Sequence, residues 1–161
     1  MAAPYPTCWL DGELLPLAEA RISPLDRGFL FADGVYEVIP VHRGRPFLLR
    51  QHLERLERSL AAIRLPNPHP LAQWAEILGR LAAAAGGSEM LLYVQVTRGA
   101  EHGRNHLFPA GVRPTVFAFA SPYPAPAQRV LEQGLAAITL DDTRWARCDI
   151  KSVALLANVL L

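Results

Sequence analysis

Lys151 is the single lysine in a chain that holds fifteen arginines. A sequence that uses Arg wherever a positive charge is enough keeps Lys where a primary amine is needed. An ε-amine can lose its proton and condense with an aldehyde; a guanidinium stays protonated and cannot form that imine. Ile150 precedes the lysine, and Val153, Leu155 and Leu156 follow it. That apolar setting is expected to desolvate the amine and lower its pKa towards the reactive range. The plainer alternative is a lone lysine at a strand-to-helix junction, paired with Asp149 or facing water.

Other residues are candidates for binding chemistry. Tyr36, in the run Asp33-Gly34-Val35-Tyr36-Glu37, can donate to an anionic substrate group at a strand start, or serve as a core or interface aromatic. Glu37 points to the opposite face of that strand and reads as a solvated carboxylate. His52 and Arg55 are three residues apart on one helix face. Arg55 could hold a phosphate with its planar fork, or belong to a charged outer face with Glu54, Glu57 and Arg58. Arg104 and His106 point the same way on an extended segment. That spacing suits a carboxylate trap, and a polar loop without a ligand is the alternative. Arg98 could do the same work or cap its strand.

Local patterns predict the elements that must position these side chains. Cys8–Leu10 and Glu13–Leu17 flank Asp11-Gly12, a hairpin signature. Residues 23–28 form a turn or loop. Residues 34–41 alternate as a strand, in which Pro40 implies an edge or a bulge. A return strand is expected over 46–49. Leu53, Leu56, Leu60 and Ile63 mark an amphipathic helix over 50–65. A second helix, 71–85, ends at Gly86-Gly87. Residues 90–97 and 114–120 are strand-like and enclose a loop, 98–113, of a length that usually has a function. The prolines of 121–127 make a stiff connection, after which 134–140 begins another strand. The expected fold class is α/β (α+β). A small two-layer α/β domain spans 1–120 and a proline-rich linker 121–133. The beginning of a second, cofactor-binding domain spans 134–161 and is not completed within the chain.

Composition narrows the function classes. The 161 residues carry a net charge of +1, which offers no basic field for nucleic acid and no acidic tail. Cys8 and Cys148 are too few for a disulfide framework, so a reducing, cytoplasmic compartment is expected. The opening MAAPYPTCWLDG shows no signal-peptide pattern. The longest apolar run, VALLANVLL, is too short to span a bilayer. The histidines and cysteines make no metal spacing, and no GxGxxG or P-loop occurs. VALLANVLL also ends without glycine, basic last turn or polar stop, so the chain is expected to be the front part of a longer polypeptide.

The segments DRGFLFADGVYEV (26–38), HLERL (52–56), VTRG (96–99), GRNHLFP (103–109) and RWARCDIKS (144–152) resemble, in order and spacing, the class IV, fold-type IV aminotransferases that use pyridoxal 5′-phosphate. Within that family they are most similar to the D-amino acid branch. DGVYE is shared with branched-chain aminotransferases and aminodeoxychorismate lyases; Arg104-x-His106 and RWARCDIKS are similar to the D-amino acid branch.

The resemblance implies that Lys151 forms the Schiff base with the cofactor and shuttles a proton at the substrate α-carbon. It implies that Arg55 grips the cofactor phosphate and that Tyr36, Arg104 and His106 hold the substrate α-carboxylate. The Arg-His pair would reach in from the neighbouring subunit of a homodimer. The implied reaction exchanges amino and keto groups between a D-amino acid, such as D-alanine, and a 2-oxo acid, such as 2-oxoglutarate. Family members run well beyond the lysine, into a part that holds the pyridinium partner and further phosphate donors. The 161 residues alone are therefore expected to be inactive. The alternatives are another class IV enzyme, either a branched-chain aminotransferase or an aminodeoxychorismate lyase, and an inactive truncated paralogue serving as a dimerisation or binding module.

Overall fold

The computed structural model describes residues 3–101, 103–111, 113–123, 125–142 and 144–161. In chain order the elements are β1 (Thr7–Leu10), β2 (Glu13–Pro16), α1 (Arg27–Phe31), β3 (Gly34–His42), β4 (Arg45–Pro46), α2 (Leu49–Ala62), α3 (Leu71–Ala85), β5 (Met90–Thr97), β6 (Thr115–Pro122), α4 (Gln128–Gln133) and α5 (Leu156–Leu160). The strands form one antiparallel sheet in the order β2-β1-β6-β5-β3-β4. Asp11 and Gly12 turn the first hairpin with φ of 49° and 117°. The Asp11 carboxylate also accepts from the Val116 amide at 2.7 Å, which ties the hairpin to β6.

Strand alternation assigns the two faces of the sheet. Val35, Ile39 and Val41 on β3, Leu92, Val94 and Val96 on β5, and Val116, Ala118 and Ala120 on β6 are buried together. Leu53, Leu56 and Leu60 of α2 and Trp74, Ile77, Leu78 and Leu81 of α3 pack onto them. Each buried side chain of this size contributes about 1.5–3 kcal/mol. The opposite face carries a half-exposed aromatic row. Tyr36 stacks on Tyr93 at 5.6 Å, Tyr93 on Phe119 at 5.1 Å and Phe119 on Phe117 at 5.7 Å. The expected two-layer unit is therefore present as an antiparallel sheet with helices on one face.

Pro40 sits where an edge position allows it. The Pro40 carbonyl accepts from the Phe47 amide at 2.7 Å. The ring nitrogen turns to the same side, so the ladder to β5 loses no donor. The rest of this outer edge is taken by the segment around Lys151. Tyr36 N donates to Lys151 O at 3.0 Å and Val153 N donates to Gly34 O at 3.1 Å. Ile150 is 7% exposed and belongs to the core.

Gly34 has no room for a side chain, because a Cβ there would lie 2.8 Å from the Val96 carbonyl oxygen. Gly34→Ala is expected to cost about 1–3 kcal/mol in thermal unfolding, since backbone rather than a flexible side chain must yield. A loss below the resolution of the measurement would contradict this.

Several local expectations are corrected. Residues 23–28 are not wholly a loop: Asp26 caps α1 by accepting from Gly28 N at 2.7 Å. The return strand stops at Pro46, because Leu48 adopts φ 49° and starts α2. Helix α2 ends at Ala62, before the expected Leu65. Arg64 turns left-handed, and Leu65 N donates back to Leu60 O at 3.0 Å. Strand β6 continues to Pro122, and α4 occupies part of the stretch read as a linker; Pro124 of that stretch lies outside the described residues. Residues 134–140 do not form the expected strand. A strand satisfies its backbone only against a neighbour, and among the described residues none lies beside it.

Candidate active site

The placement of Lys151 begins with main-chain contacts. Its carbonyl is held by β3, and its amide donates to Ser59 Oγ on α2 at 3.3 Å. The backbone is thus clamped between strand edge and helix. The side chain turns to the Tyr36 ring, with Nζ 4.0 Å from the ring centroid, where the face of an aromatic ring attracts a cation. The pairing with Asp149 does not occur: that carboxylate is bound to Arg147 at 3.0 Å. The lone amine and the tyrosine of the DGVYE run, 115 residues apart by subtraction (151 − 36), therefore meet.

Glu37 is the main departure from the expected arrangement. It shares the core face of β3 and is 0% exposed. A buried carboxylate is costly unless paired and hydrogen-bonded. Arg55 supplies a two-pronged contact, Nε to Oε1 at 2.5 Å and Nη2 to Oε2 at 2.7 Å, and His52 Nδ1 lies 2.9 Å from Oε2. The carboxylate's hydrogen bond pushes the Arg55 guanidinium further up, against the opposing effect of burial. The Arg55 side chain is still 45% exposed, and its Nη1 has no protein partner among the described residues. A guanidinium fixed on one side and open on the other is suited to an anion such as a phosphate. One signal in the sequence marked this centre: Glu37 falls in register with Val35, Ile39 and Val41.

Arg98 is not available as a carboxylate trap. It is 5% exposed, binds Asp33 at 2.8 and 3.0 Å, and donates to the carbonyls of Ile63 and Arg64 at 2.7 and 3.2 Å. Burial raises the Asp33 pKa, but the hydrogen bonds from Arg98 and Arg27 outweigh it and hold the carboxyl below its usual value of 3.8. A depressed carboxyl stabilises the fold above its unfolded pKa and loses that contribution as pH falls through the folded value. Asp33→Asn is therefore expected to flatten the acid limb of the stability curve below about pH 4. Urea midpoints between pH 2 and 6 check this, and an unchanged acid limb would contradict it.

Arg104 and His106 do share one partner, as their spacing predicts. The Phe31 ring lies 5.1 Å from the Arg104 guanidinium and 5.3 Å from the His106 ring. His106, Phe31 and Ser152 line one cleft with Trp145. Among the described residues, no hydrogen bond or ring contact joins Arg104 or His106 to Lys151 or Tyr36. Among the described residues the structure thus sets the candidate residues in three groups: Lys151 with Tyr36 on one face of β3, Glu37 with Arg55 and His52 on the other, and Arg104 with His106 on Phe31. His102 and Val112 of the long loop lie outside the described residues.

The described residues include no cluster of metal-ligating side chains and no helix long and apolar enough to cross a membrane. The donor set fits pyridoxal phosphate: an amine for an aldehyde, a half-open guanidinium for a phosphate, and a phenol beside the amine.

A D-alanine aminotransferase of Staphylococcus epidermidis is 41% identical over 153 residues, covering 94% of this chain and 54% of that protein. The chain spans about half the length of the curated relatives it matches. A 4-amino-4-deoxychorismate lyase from Pseudomonas aeruginosa superposes with a TM-score of 0.65 at 32% identity, covering 78% of this chain and 43% of that one. A hypothetical aminotransferase from Mycobacterium tuberculosis, in its PLP-bound form, gives 0.63 at 29%, covering 78% and 42%. The family model for amino-transferase class IV matches residues 34–161, from the glycine that begins β3 through the lysine it holds, and the chain belongs to that family.

Proposed function

We propose that the full-length protein is a pyridoxal phosphate-dependent transaminase that exchanges amino and keto groups between a D-amino acid, such as D-alanine, and a 2-oxo acid, such as 2-oxoglutarate. The observation that carries this reading is the single amine held over the Tyr36 ring, 4.0 Å from its centroid. The similarity to D-alanine aminotransferases supports the D branch, and the PLP-bound relative supports the cofactor. When bound, the cofactor supplies an aldehyde and an electron sink.

The chain's own residues take the remaining roles. Arg55 Nη1 binds the phosphate while Glu37 fixes the other edge of the fork. Lys151 Nζ takes the proton from the α-carbon of the amino donor and, in the reverse half-reaction, delivers one to the α-carbon derived from the 2-oxo acid. Tyr36 Oη, Arg104 and His106 bind the α-carboxylate. Among the described residues of one chain no hydrogen bond or ring contact joins Arg104 or His106 to Lys151, which fits a homodimer in which each subunit's pair serves the other's site. In this reading residues 1–120 are a small domain, and the residues after the linker begin the cofactor-binding domain. The protein works in the cytoplasm.

A second reading keeps the fold and makes the reaction an elimination, favoured by the 32% identity to the lyase. Assaying D-alanine and L-leucine side by side with 2-oxoglutarate separates the possibilities. Keto-acid formation from D-alanine is the expected result. Turnover of L-leucine alone would remove the carboxylate role given to Arg104 and His106, and turnover of neither would favour the lyase.

A further inference from the structure

The dipeptide Asp26-Arg27 performs a task that the site described so far leaves unexplained. Asp26 is 1% exposed and accepts from Thr97 Oγ1 at 3.0 Å and Thr115 Oγ1 at 2.7 Å. Those threonines end β5 and begin β6, so one carboxylate clamps both stems of the long loop. Arg27, 3% exposed, reaches the middle of the same loop. Its Nε donates to Asp33 at 2.9 Å, and its Nη1 donates to Glu101 Oε2 at 3.1 Å and to the Asn105 carbonyl at 2.6 Å. Asn105 is the residue between Arg104 and His106. The Arg27 guanidinium also lies 4.9 Å over Phe31, the ring that both of them contact.

The anchor is rigid. Asp33 is held from its other side by Arg98, which is tied to the end of α2. A continuous series of buried contacts therefore runs from α2 through Arg98, Asp33 and Arg27 to the backbone of the loop. Only a planar fork with several donors can serve a carboxylate on one edge and two further acceptors on the other. A loop ordered on folding binds its ligand without bearing that entropy at binding.

We propose that Arg27 is a positioning residue for substrate recognition: through the Asn105 carbonyl and the shared Phe31 ring it pre-sets Arg104 and His106 for a carboxylate. This rests on the carboxylate-trap reading above.

The test compares two amines in single-turnover half-reactions of the full-length holoenzyme: D-alanine, and ethylamine, which is alanine without its carboxylate. In Arg27→Gln the rate with D-alanine should fall roughly tenfold to hundredfold, while the rate with ethylamine holds. Amide exchange in 103–108 should rise while β5 stays protected. Equal losses for both amines, or no loss for either, would overturn the proposal. Arg104→Gln is run beside it. If that variant leaves the D-alanine to ethylamine ratio unchanged, the trap reading itself fails. If it collapses the ratio and Arg27→Gln does not, only the positioning role fails. Should Arg27→Gln not load cofactor, Arg27→Lys keeps a charge against Asp33 but lacks the fork, and gives the same comparison.

Discussion

Lys151→Arg is expected to lower transamination by the full-length protein by roughly 10²–10⁴-fold, and to remove the absorbance of covalently bound cofactor. The substitution isolates the chemistry because little else at the position depends on the amine. Lys151 is placed by its own carbonyl and amide, on Tyr36 and Ser59, and those contacts do not involve the side chain. An arginine also keeps the positive charge and can rest on the Tyr36 ring. What it cannot do is lose a proton and condense with an aldehyde. Thermal midpoints close to wild type, together with lost activity and lost absorbance, are the expected pattern. An arginine variant that still turns over would show that the nucleophile lies elsewhere.

Arg55→Leu should destabilise the fold by about 3 kcal/mol, the lower end of the range for removing one partner from a buried ion pair. The lower end applies because the Arg55 side chain is itself 45% exposed, and His52 remains 2.9 Å from the carboxylate. The cost arises on the other partner: Glu37 has no exposure and loses two hydrogen bonds at once. Urea unfolding of the apo protein measures this directly. The double variant Glu37→Leu/Arg55→Leu should recover part of the loss, since no carboxylate is then left in the core. The same single variant should lose its preference for pyridoxal phosphate over pyridoxal in equilibrium binding. Stability within about 0.5 kcal/mol of wild type, the range typical of surface changes, would mean that the carboxylate does not depend on this fork. An unchanged preference would mean that the phosphate is held elsewhere.

Most of the architecture was legible because it follows local periodicity. Leu53, Leu56 and Leu60 recur at helical steps and lie against the sheet, and helix α3 matches the expected 71–85. Strand alternation placed β3, β5 and β6 to within a few residues. Boundaries failed where a distant partner decided them. Helix α2 stops short, and the two carbonyls just past its end, Ile63 and Arg64, receive the side chain of Arg98, the residue after β5. Residues 134–140 have strand character but, among the described residues, no neighbour to pair with.

Sequence alone singled out one amine as a candidate, since a single lysine among fifteen arginines is visible without coordinates. Spacing also put Arg104 and His106 on the same side of their segment, and both lie against the Phe31 ring. Only the tertiary structure decided which charges are internal. Glu37 read as a solvated carboxylate and is the buried centre that holds Arg55 and His52. Arg98 read as a possible substrate ligand and is bound to Asp33 and two carbonyls. Burial depends on which elements pack on which face, and a charge inside is kept only where partners from other elements converge on it.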